Sequence, residues 1–347
     1  MRIAIIHNQL AKGGGAERYL LDLITGFRAY GDNVEIWARR IDQALRAEVD
    51  IQAHRIPVWP APRLLRTALL ANAVDKLELK SRYDLVLSLA RTRNQHGWIC
   101  GGAHPGYLAA LGEKPGLRDH VETRMEREAL VSSAYGIAHS RLLSGELQRF
   151  HGVDGSRIQV IYPPVDIGHF KPADATVRQR ARAHFGLQPR LKYFLFPSTG
   201  HFRKGFDLLL QAFTALQDRP IRLLVAGSPV RERVPDNIVS LGYVNDMVQL
   251  YAAADATVLP SRYEPFGLVL AESLQCGTPV ITSAAAGIRE LMTPQDGLVL
   301  PRLDAEALQE ALLRFCDTPV ICEGGFAERR GLTLARHVEA LRAIPRS

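Results

Sequence analysis

The chain has only four cysteines in 347 residues, Cys100, Cys276, Cys316 and Cys322, and none stands at the spacing of a metal site. That argues against a structural zinc site and a disulfide framework, and the four read as free thiols of a reducing cytoplasm. No uninterrupted apolar stretch approaches the roughly 20 residues that cross a bilayer. The first residues, MRIAIIHNQL, read as a strand and not as a secretory signal. There is no Lys/Arg-rich run with interleaved aromatics and no recognition motif for nucleic acid, so nucleic acid is not an expected partner.

The charge that is present is uneven. The formal net charge is +7, and residues 1–160 hold 22 Lys and Arg against 17 Asp and Glu, while the remainder holds 21 against 19. The excess lies mostly in the first half and favours anionic partners: sugar nucleotides, phosphorylated glycolipids or an anionic membrane surface. The length suggests two domains. An apolar content of 47% with 23% charged residues is that of a globular protein.

Short apolar runs alternate with helical periodicity. Strands are expected at residues 2–7, 33–38, 51–56, 84–89, 97–100, 135–139 and 157–161, with helices at 16–30, 64–80, 117–132 and 142–150. Runs such as DLVLSL are apolar throughout, as parallel strands covered on both faces are. The segment 162–172, YPPVDIGHFKP, carries three prolines and reads as an interdomain linker. A second series follows, with strands at 193–197, 222–226, 237–241, 257–259, 280–282 and 298–300. Its helices are expected at 206–216, 247–253, 268–276, 286–292 and 304–316, and a last one at 332–344. Two α/β domains with parallel sheets are therefore expected, binding ligand at the carboxyl edges of their strands. The divisions are 1–163, 164–330 and a C-terminal helix, 331–347, that caps the second domain or crosses back to the first.

Chemistry concentrates in SRYEPFGLVLAESLQCGTPV, residues 261–280. A helix starting near Gly267 leaves the backbone amides of Phe266, Gly267 and Leu268 among the unpaired donors of its first turn. Glu272 stands in an otherwise apolar helix and needs donors there; a nucleotide ribose diol supplies them as well as protein would. Glu264, in the preceding loop, faces a second part of the same ligand. The plainer alternative is an acidic loop residue and a surface glutamate.

The stretch EPFGLVLAESLQCGTPVI resembles the E-x7-E signature of the family 4 retaining glycosyltransferases, enzymes of the GT-B fold with two Rossmann-like domains facing each other across a cleft. GHFRKGFDLLLQAF, residues 200–213, resembles that family's diphosphate-binding loop, with Arg203 and Lys204 on its cationic positions. VSLGYVNDMVQLYAAADATVLPS resembles the segment leading into the signature, where backbone around Tyr243–Val244 meets the nucleobase. The resemblance implies a UDP-linked donor. Arg203 and Lys204 would neutralise the departing diphosphate, Glu272 grip the ribose, and Glu264 with the Phe266–Leu268 amides hold the sugar. It implies no cofactor and no metal, and the sequence has no Asp-x-Asp motif.

In the first half, HNQLAKGGGAERYLLDL places Gly13, Gly14 and Gly15 at a helix N-terminus, suited to a phosphate or a sugar. The glycines do not space as G-x-G-x-x-G, and the second strand ends in IWARR where an NAD enzyme carries an acid. Arg39 and Arg40 keep an NADP-dependent dehydrogenase as a competitor. The resemblance instead makes Gly13–Gly15 the loop that closes over the donor diphosphate and the acceptor, with Gly14 and Gly15 binding the donor. It also assigns His104, in CGGAHPGYLAAL, to orienting the sugar or the acceptor; His7 and His201 hold strand-end positions without such support. SLARTRNQHGWICGGAHPGYL is similar to bacterial enzymes acting on lipopolysaccharide core and other envelope glycans. Within residues 62–83, Arg63, Arg66, Lys76, Lys80 and Arg82 flank apolar positions. This reads either as an interfacial helix for peripheral contact with the inner membrane or as a core helix with a solvated basic face. The expectation is a cytoplasmic retaining glycosyltransferase with a nucleotide-sugar donor and a glycan or glycolipid acceptor. A sugar-nucleotide epimerase of the same fold and a non-catalytic sugar-nucleotide-binding protein are the alternatives.

Overall fold

Strand β1 (Arg2–Leu10) sits inside a seven-stranded sheet, and its alternation explains its composition. Ile3 and Ile5 face one side, where they pack in a cluster with Leu23 and Phe27. Ala4 and Ile6 face the other, with Leu70, Val74 and Tyr83. A strand covered on both faces has no polar alternation to show.

The computed structural model describes residues 1–58 and 62–345, and only the backbone of Arg63 and Leu64. After β1 come α1 (Gly15–Ala29), β2 (Asn33–Ile41), α2 (Gln43–Val49), β3 (Gln52–Arg55), α3 (Arg63–Asp75), β4 (Leu85–Ser88) and β5 (Gly97–Cys100). Then follow α4 (His104–Leu111), α5 (Leu117–Ser132), β6 (Tyr135–Ala138), α6 (Arg141–His151) and β7 (Ile158–Val160). The strand order is β3-β2-β1-β4-β5-β6-β7, and every pairing is parallel. The second series holds α7 (Ala175–His184), β8 (Lys192–Ser198), α8 (Phe206–Ala215), β9 (Ile221–Gly227), β10 (Ile238–Gly242), α9 (Met247–Ala253) and β11 (Ala256–Leu259). It closes with α10 (Leu268–Gln275), β12 (Val280–Thr282), β13 (Gly297–Val299), α11 (Ala305–Asp317) and α12 (Phe326–Arg330). Its sheet is also parallel, in the order β10-β9-β8-β11-β12-β13.

The first unit comprises Met1–Tyr162 together with the chain from Leu334, and the second comprises Pro163–Thr333. The last helix, α13 (Leu334–Arg342), lies against α1 in the first unit. A Cβ on Gly26 would meet Val338 Cγ2 at 2.5 Å, so the absence of a side chain there sets how closely the two helices approach. Val338, Leu341 and Ile344 join the same cluster as Leu23 and Phe27. The final residues of the 331–347 segment, Arg346 and Ser347, lie outside the described residues.

Several expectations need correction. The segment 162–172 holds the division between the units, at Tyr162/Pro163, but beyond it the chain packs into the second unit: Val165 and Phe170 are buried, and the Val165 amide donates to the Leu332 carbonyl at 2.9 Å. The helix expected at 64–80 ends at Asp75, because Glu78 takes a left-handed conformation (φ 47°) and a separate 3-10 turn, Leu79–Ser81, follows. The helix expected at 286–292 is a 3-10 turn, Gly287–Leu291. Helices α2 and α7 were not expected, yet each has an aspartate cap: Asp42 accepts from Ala44 and Leu45, and Asp174 accepts from Val177. Helix α3 turns Leu70, Ala71 and Val74 inward, as a core helix does. Arg82 lies over the Trp37 ring at 5.4 Å, and the Arg63 side chain is outside the described residues. Among the described residues no helix is long and apolar enough to cross a membrane.

Candidate functional site

In the second unit, the carboxyl ends of β8 and β11 bring two loops together. The chain leaves β8 at Ser198 and turns through residues 199–205 into α8. Gly205 stands at the last position with φ 82°. His201 is fixed within this turn: its ring bonds Ser198 Oγ at 2.9 Å and donates from Nε2 to the Ser228 carbonyl at 3.1 Å. That is a structural use of both nitrogens.

Arg203 and Lys204 follow, and they differ. Arg203 Nη1 donates to the Tyr263 carbonyl at 2.6 Å and to Glu264 Oε2 at 3.1 Å. Lys204 is buried, with 8% of its surface exposed, and donates Nζ to the Pro197 carbonyl at 2.9 Å. Burial lowers its pKa; Glu264 opposes the shift, neighbouring Arg203 adds to it, and Glu272 again opposes it. Arg203, Lys204, Glu264 and Glu272 thus act as one electrostatic group.

The loop after β11 is held in place through backbone. Glu264 donates its amide to the Ala285 carbonyl and accepts from the Gly287 amide, at 3.2 and 3.0 Å, and Phe266 accepts from Ile288 at 2.7 Å. Helix α10 then begins at Leu268, capped by Gly267 in the left-handed region (φ 104°). The amides of Gly267 and Leu268 belong to the first turn, where an α-helix offers donors without intrahelical acceptors. Glu272 is half-buried on α10 and accepts from the Tyr251 hydroxyl of α9 at 3.0 Å. Protein therefore supplies at least one donor to this carboxylate. Tyr251 was not singled out in the sequence, since a tyrosine inside an apolar helix reads as core. At the end of β10, the register shifts between Ser240 and Gly242; Val244 is half-buried beside Tyr243, which is 79% exposed.

The first unit carries the remaining candidates. Gly14 caps α1, with Gly15 its first residue. The amides there are not all unanswered: Glu17 holds a depressed pKa because the Gln9 side-chain amide donates to it at 2.8 Å and the amides of Glu17 and Gly14 do so as well. Its Oε2 lies 3.2 and 3.6 Å from where Gly13 and Gly14 would carry Cβ atoms. This carboxylate was missed, although a Glu three residues past a capping position is a recognised self-capping signal. His7 is buried, and neither ring nitrogen has a hydrogen-bond partner among the described residues. Burial lowers its pKa, with Glu17 opposing.

His104 is the first residue of α4, where a strand-end loop was expected. Its amide donates to the Glu126 carboxylate at 3.0 and 3.2 Å, and its Nε2 bonds Asp119 Oδ1 at 2.9 Å. Glu126 is fully buried and also binds Arg91 at 2.9 Å and His151 Nε2 at 2.9 Å. The Gly116 amide, and then His104, hold the Asp119 carboxyl below its ordinary range. Among the described residues no group of three or more His, Cys, Asp or Glu side chains is arranged to hold a metal ion.

The family model for Glycosyltransferase Family 4 matches residues 13–169, and that for Glycosyl transferases group 1 matches residues 192–318. A protein of Burkholderia thailandensis designated a probable transglycosylase is 35% identical, over 98% of this chain and 96% of the relative. Among solved structures, WaaG, a glycosyltransferase involved in lipopolysaccharide biosynthesis, superposes with a TM-score of 0.78 at 18% identity, covering 99% of both chains. HepE of Anabaena, solved in complex with UDP-glucose, gives a TM-score of 0.69 at 19% identity, over 98% of this chain and 94% of that one. The likeness to these two structures is one of fold, GT-B.

Proposed function

The chain belongs to the group 1, family 4 glycosyltransferases, and from that premise we propose that it is a retaining enzyme moving a sugar from a UDP-linked donor to an envelope glycan. The observation that carries this reading is the gathering of Arg203, Lys204, Glu264 and Glu272 beside the start of α10. Breaking the bond between the anomeric carbon and the diphosphate leaves growing negative charge on the diphosphate. Two fixed cations in a partly desolvated site answer that charge. Lys204 is preorganised by its bond to Pro197, and Arg203 by Tyr263 and Glu264, so little reorganisation accompanies the step.

Glu272, steadied by Tyr251, takes the ribose hydroxyls. Glu264 and the amides of Phe266, Gly267 and Leu268 take hydroxyls of the transferred sugar, and Val244 lies against the base. In the first unit, Gly14 and Gly15 are assigned to the donor and His104 to the sugar or acceptor. HepE, of the same fold, was solved with UDP-glucose, which supports the choice of nucleotide. WaaG's part in lipopolysaccharide biosynthesis supports the choice of acceptor. The net charge of +7, concentrated in the first half, suits a phosphorylated acceptor at the cytoplasmic face of the inner membrane.

The test is to incubate the protein with UDP-sugars, with and without lipopolysaccharide-core oligosaccharide, and follow both products by mass spectrometry and NMR. A glycosylated acceptor bearing the donor's anomeric configuration, formed together with one equivalent of UDP, is the expected result. An epimerised donor in the absence of acceptor refutes transfer in favour of isomerisation. Sugar transfer from a glycan with no nucleotide present refutes the nucleotide-sugar donor. Binding without turnover on any acceptor refutes catalysis.

A further inference from the structure

The backbone of Arg203 is held by a second arginine, Arg262, that the donor reading does not use. The Arg262 guanidinium grips both oxygens of Asp207, in the first turn of α8, at 2.7 and 2.6 Å. Its Nη1 also donates to the Phe202 carbonyl at 2.8 Å, and the group lies over the Phe202 ring, 4.4 Å from the centroid. The Arg262 backbone amide donates to the Arg203 carbonyl at 2.8 Å. The two arginines are therefore crossed. Arg203 sends its head to residues 263 and 264, just past Arg262, while Arg262 sends its head to residue 202, just before Arg203, and on to Asp207.

From this geometry we propose that Arg262 is a positioning residue for the diphosphate-binding loop, acting through Arg203. This rests on the reading of Arg203 and Lys204 as the donor diphosphate site. A planar fork is well shaped for such a role. One guanidinium fixes the carbonyl before Arg203 and the carboxylate three residues after Lys204, so the turn between them cannot rotate away from Glu264. Lysine in its place keeps the charge but not the paired contacts with Asp207. Asp207 is the complementary anchor. Neither residue touches the diphosphate; both decide where Arg203 points when the diphosphate arrives.

The experiment is calorimetric titration of the full chain with UDP, ADP and GDP and with their monophosphates. It is applied to wild type, Arg262→Ala, Arg262→Lys, Arg203→Ala and the Arg203→Ala/Arg262→Ala double variant. For the nucleotide that binds, Arg262→Ala should weaken the diphosphate at least tenfold and the monophosphate less than threefold, with Arg262→Lys in between. In the Arg203→Ala background, adding Arg262→Ala should change diphosphate affinity less than twofold, because the residue through which it acts is gone. Equal losses for diphosphate and monophosphate, additive losses in the double variant, or undiminished diphosphate affinity in Arg262→Ala overturns the proposal. If Arg262→Ala does not fold, Arg262→Lys alone decides by the same diphosphate-to-monophosphate ratio. A wild-type chain that binds none of the diphosphates more tightly than its monophosphate overturns the donor reading itself, before any variant is compared.

Discussion

The carbonyl oxygen of Pro260 lies 2.1 Å from where Gly205 would carry a Cβ. The two residues lock the end of the Arg203–Lys204 turn against the chain leaving β11, and Gly205 does so in a left-handed conformation (φ 82°). Gly205→Ala meets both penalties, the left-handed backbone and a collision with main chain. It should destabilise the protein by about 2–4 kcal/mol, and nucleotide affinity should fall in whatever fraction stays folded. Urea denaturation followed with UDP titration measures both. A variant within about 0.5 kcal/mol of wild type by the same measure, an ordinary surface effect, shows that the turn has room to move.

For the cations, stability and activity should separate. Lys204→Met keeps the apolar stem and removes a charge that burial already disfavours, but it leaves the Pro197 carbonyl without its donor, so the protein should still fold with a loss of about 1–3 kcal/mol. Turnover should nevertheless drop more than tenfold, since a charge-assisted contact to the leaving group is worth roughly 1.5–3 kcal/mol. Arg203→Ala should show a similar loss. Steady-state kinetics beside thermal denaturation checks this, and normal turnover in both variants removes them from the donor site.

Glu272→Gln and Tyr251→Phe test the ribose assignment together. Gln keeps the shape of the carboxylate and loses the charge, so UDP should bind about tenfold more weakly if the group holds a diol. Tyr251→Phe removes the hydroxyl donor to Glu272 and should weaken UDP by a smaller factor. If Glu272 serves only to tie α10 to α9, both variants lose stability and bind UDP as before. Calorimetry on the folded variants distinguishes the two.

How much of this could be read from the chain differs by kind of interaction. The parallel sheets were legible because β1, β4 and β8 bury both faces and so write continuous apolar runs. The pairing of Arg203 with Glu264 is 61 residues apart in sequence, and no local pattern encodes it; only the likeness to a known signature placed them in one site. Helices α2 and α7 escaped because short, polar helices carry weak periodicity, although their capping aspartates were visible. The segment 162–172 does hold the division between the units, but proline content reports only local backbone preference and says nothing of Val165 and Phe170 finding a core. His104 looked free in a glycine-rich loop. Its restraint by Asp119 and Glu126 comes from a helix 15 to 22 residues on, another non-local fact.

The last prediction concerns acid. His337 of α13 donates from Nδ1 to the Tyr162 carbonyl and accepts at Nε2 from the Tyr19 hydroxyl, both at 2.7 Å. The neutral ring satisfies both nitrogens, and burial pushes its pKa down to about 4. The His139 ring lies edge-on to Tyr19, 5.2 Å between centroids. Part of that residue reaches solvent, but its Nε2 is enclosed without a hydrogen-bond partner among the described residues, and burial, aided by His337, lowers its pKa to about 3. In the unfolded chain both titrate near 6.5. Between pH 6.5 and 4 the unfolded state therefore binds protons that the folded state refuses. Stability is full above the unfolded value and is lost as pH falls, by up to about 1.4 kcal/mol per pH unit for each histidine. His7, also lowered by burial, acts in the same sense. The depressed carboxylates Glu17 and Asp119 add their losses only further down, as pH falls below their ordinary range. Trp37 and Trp98 are buried in the first unit, so urea denaturation read by tryptophan fluorescence reports on it. The midpoint should fall steadily from about pH 7 to about pH 4.5. His337→Gln should be less stable at neutral pH yet show a shallower decline, because one of the proton-refusing sites is gone. Parallel declines in the two proteins would mean that α13 is held on the first unit by its apolar face alone, through Val338, Leu341 and the close approach at Gly26.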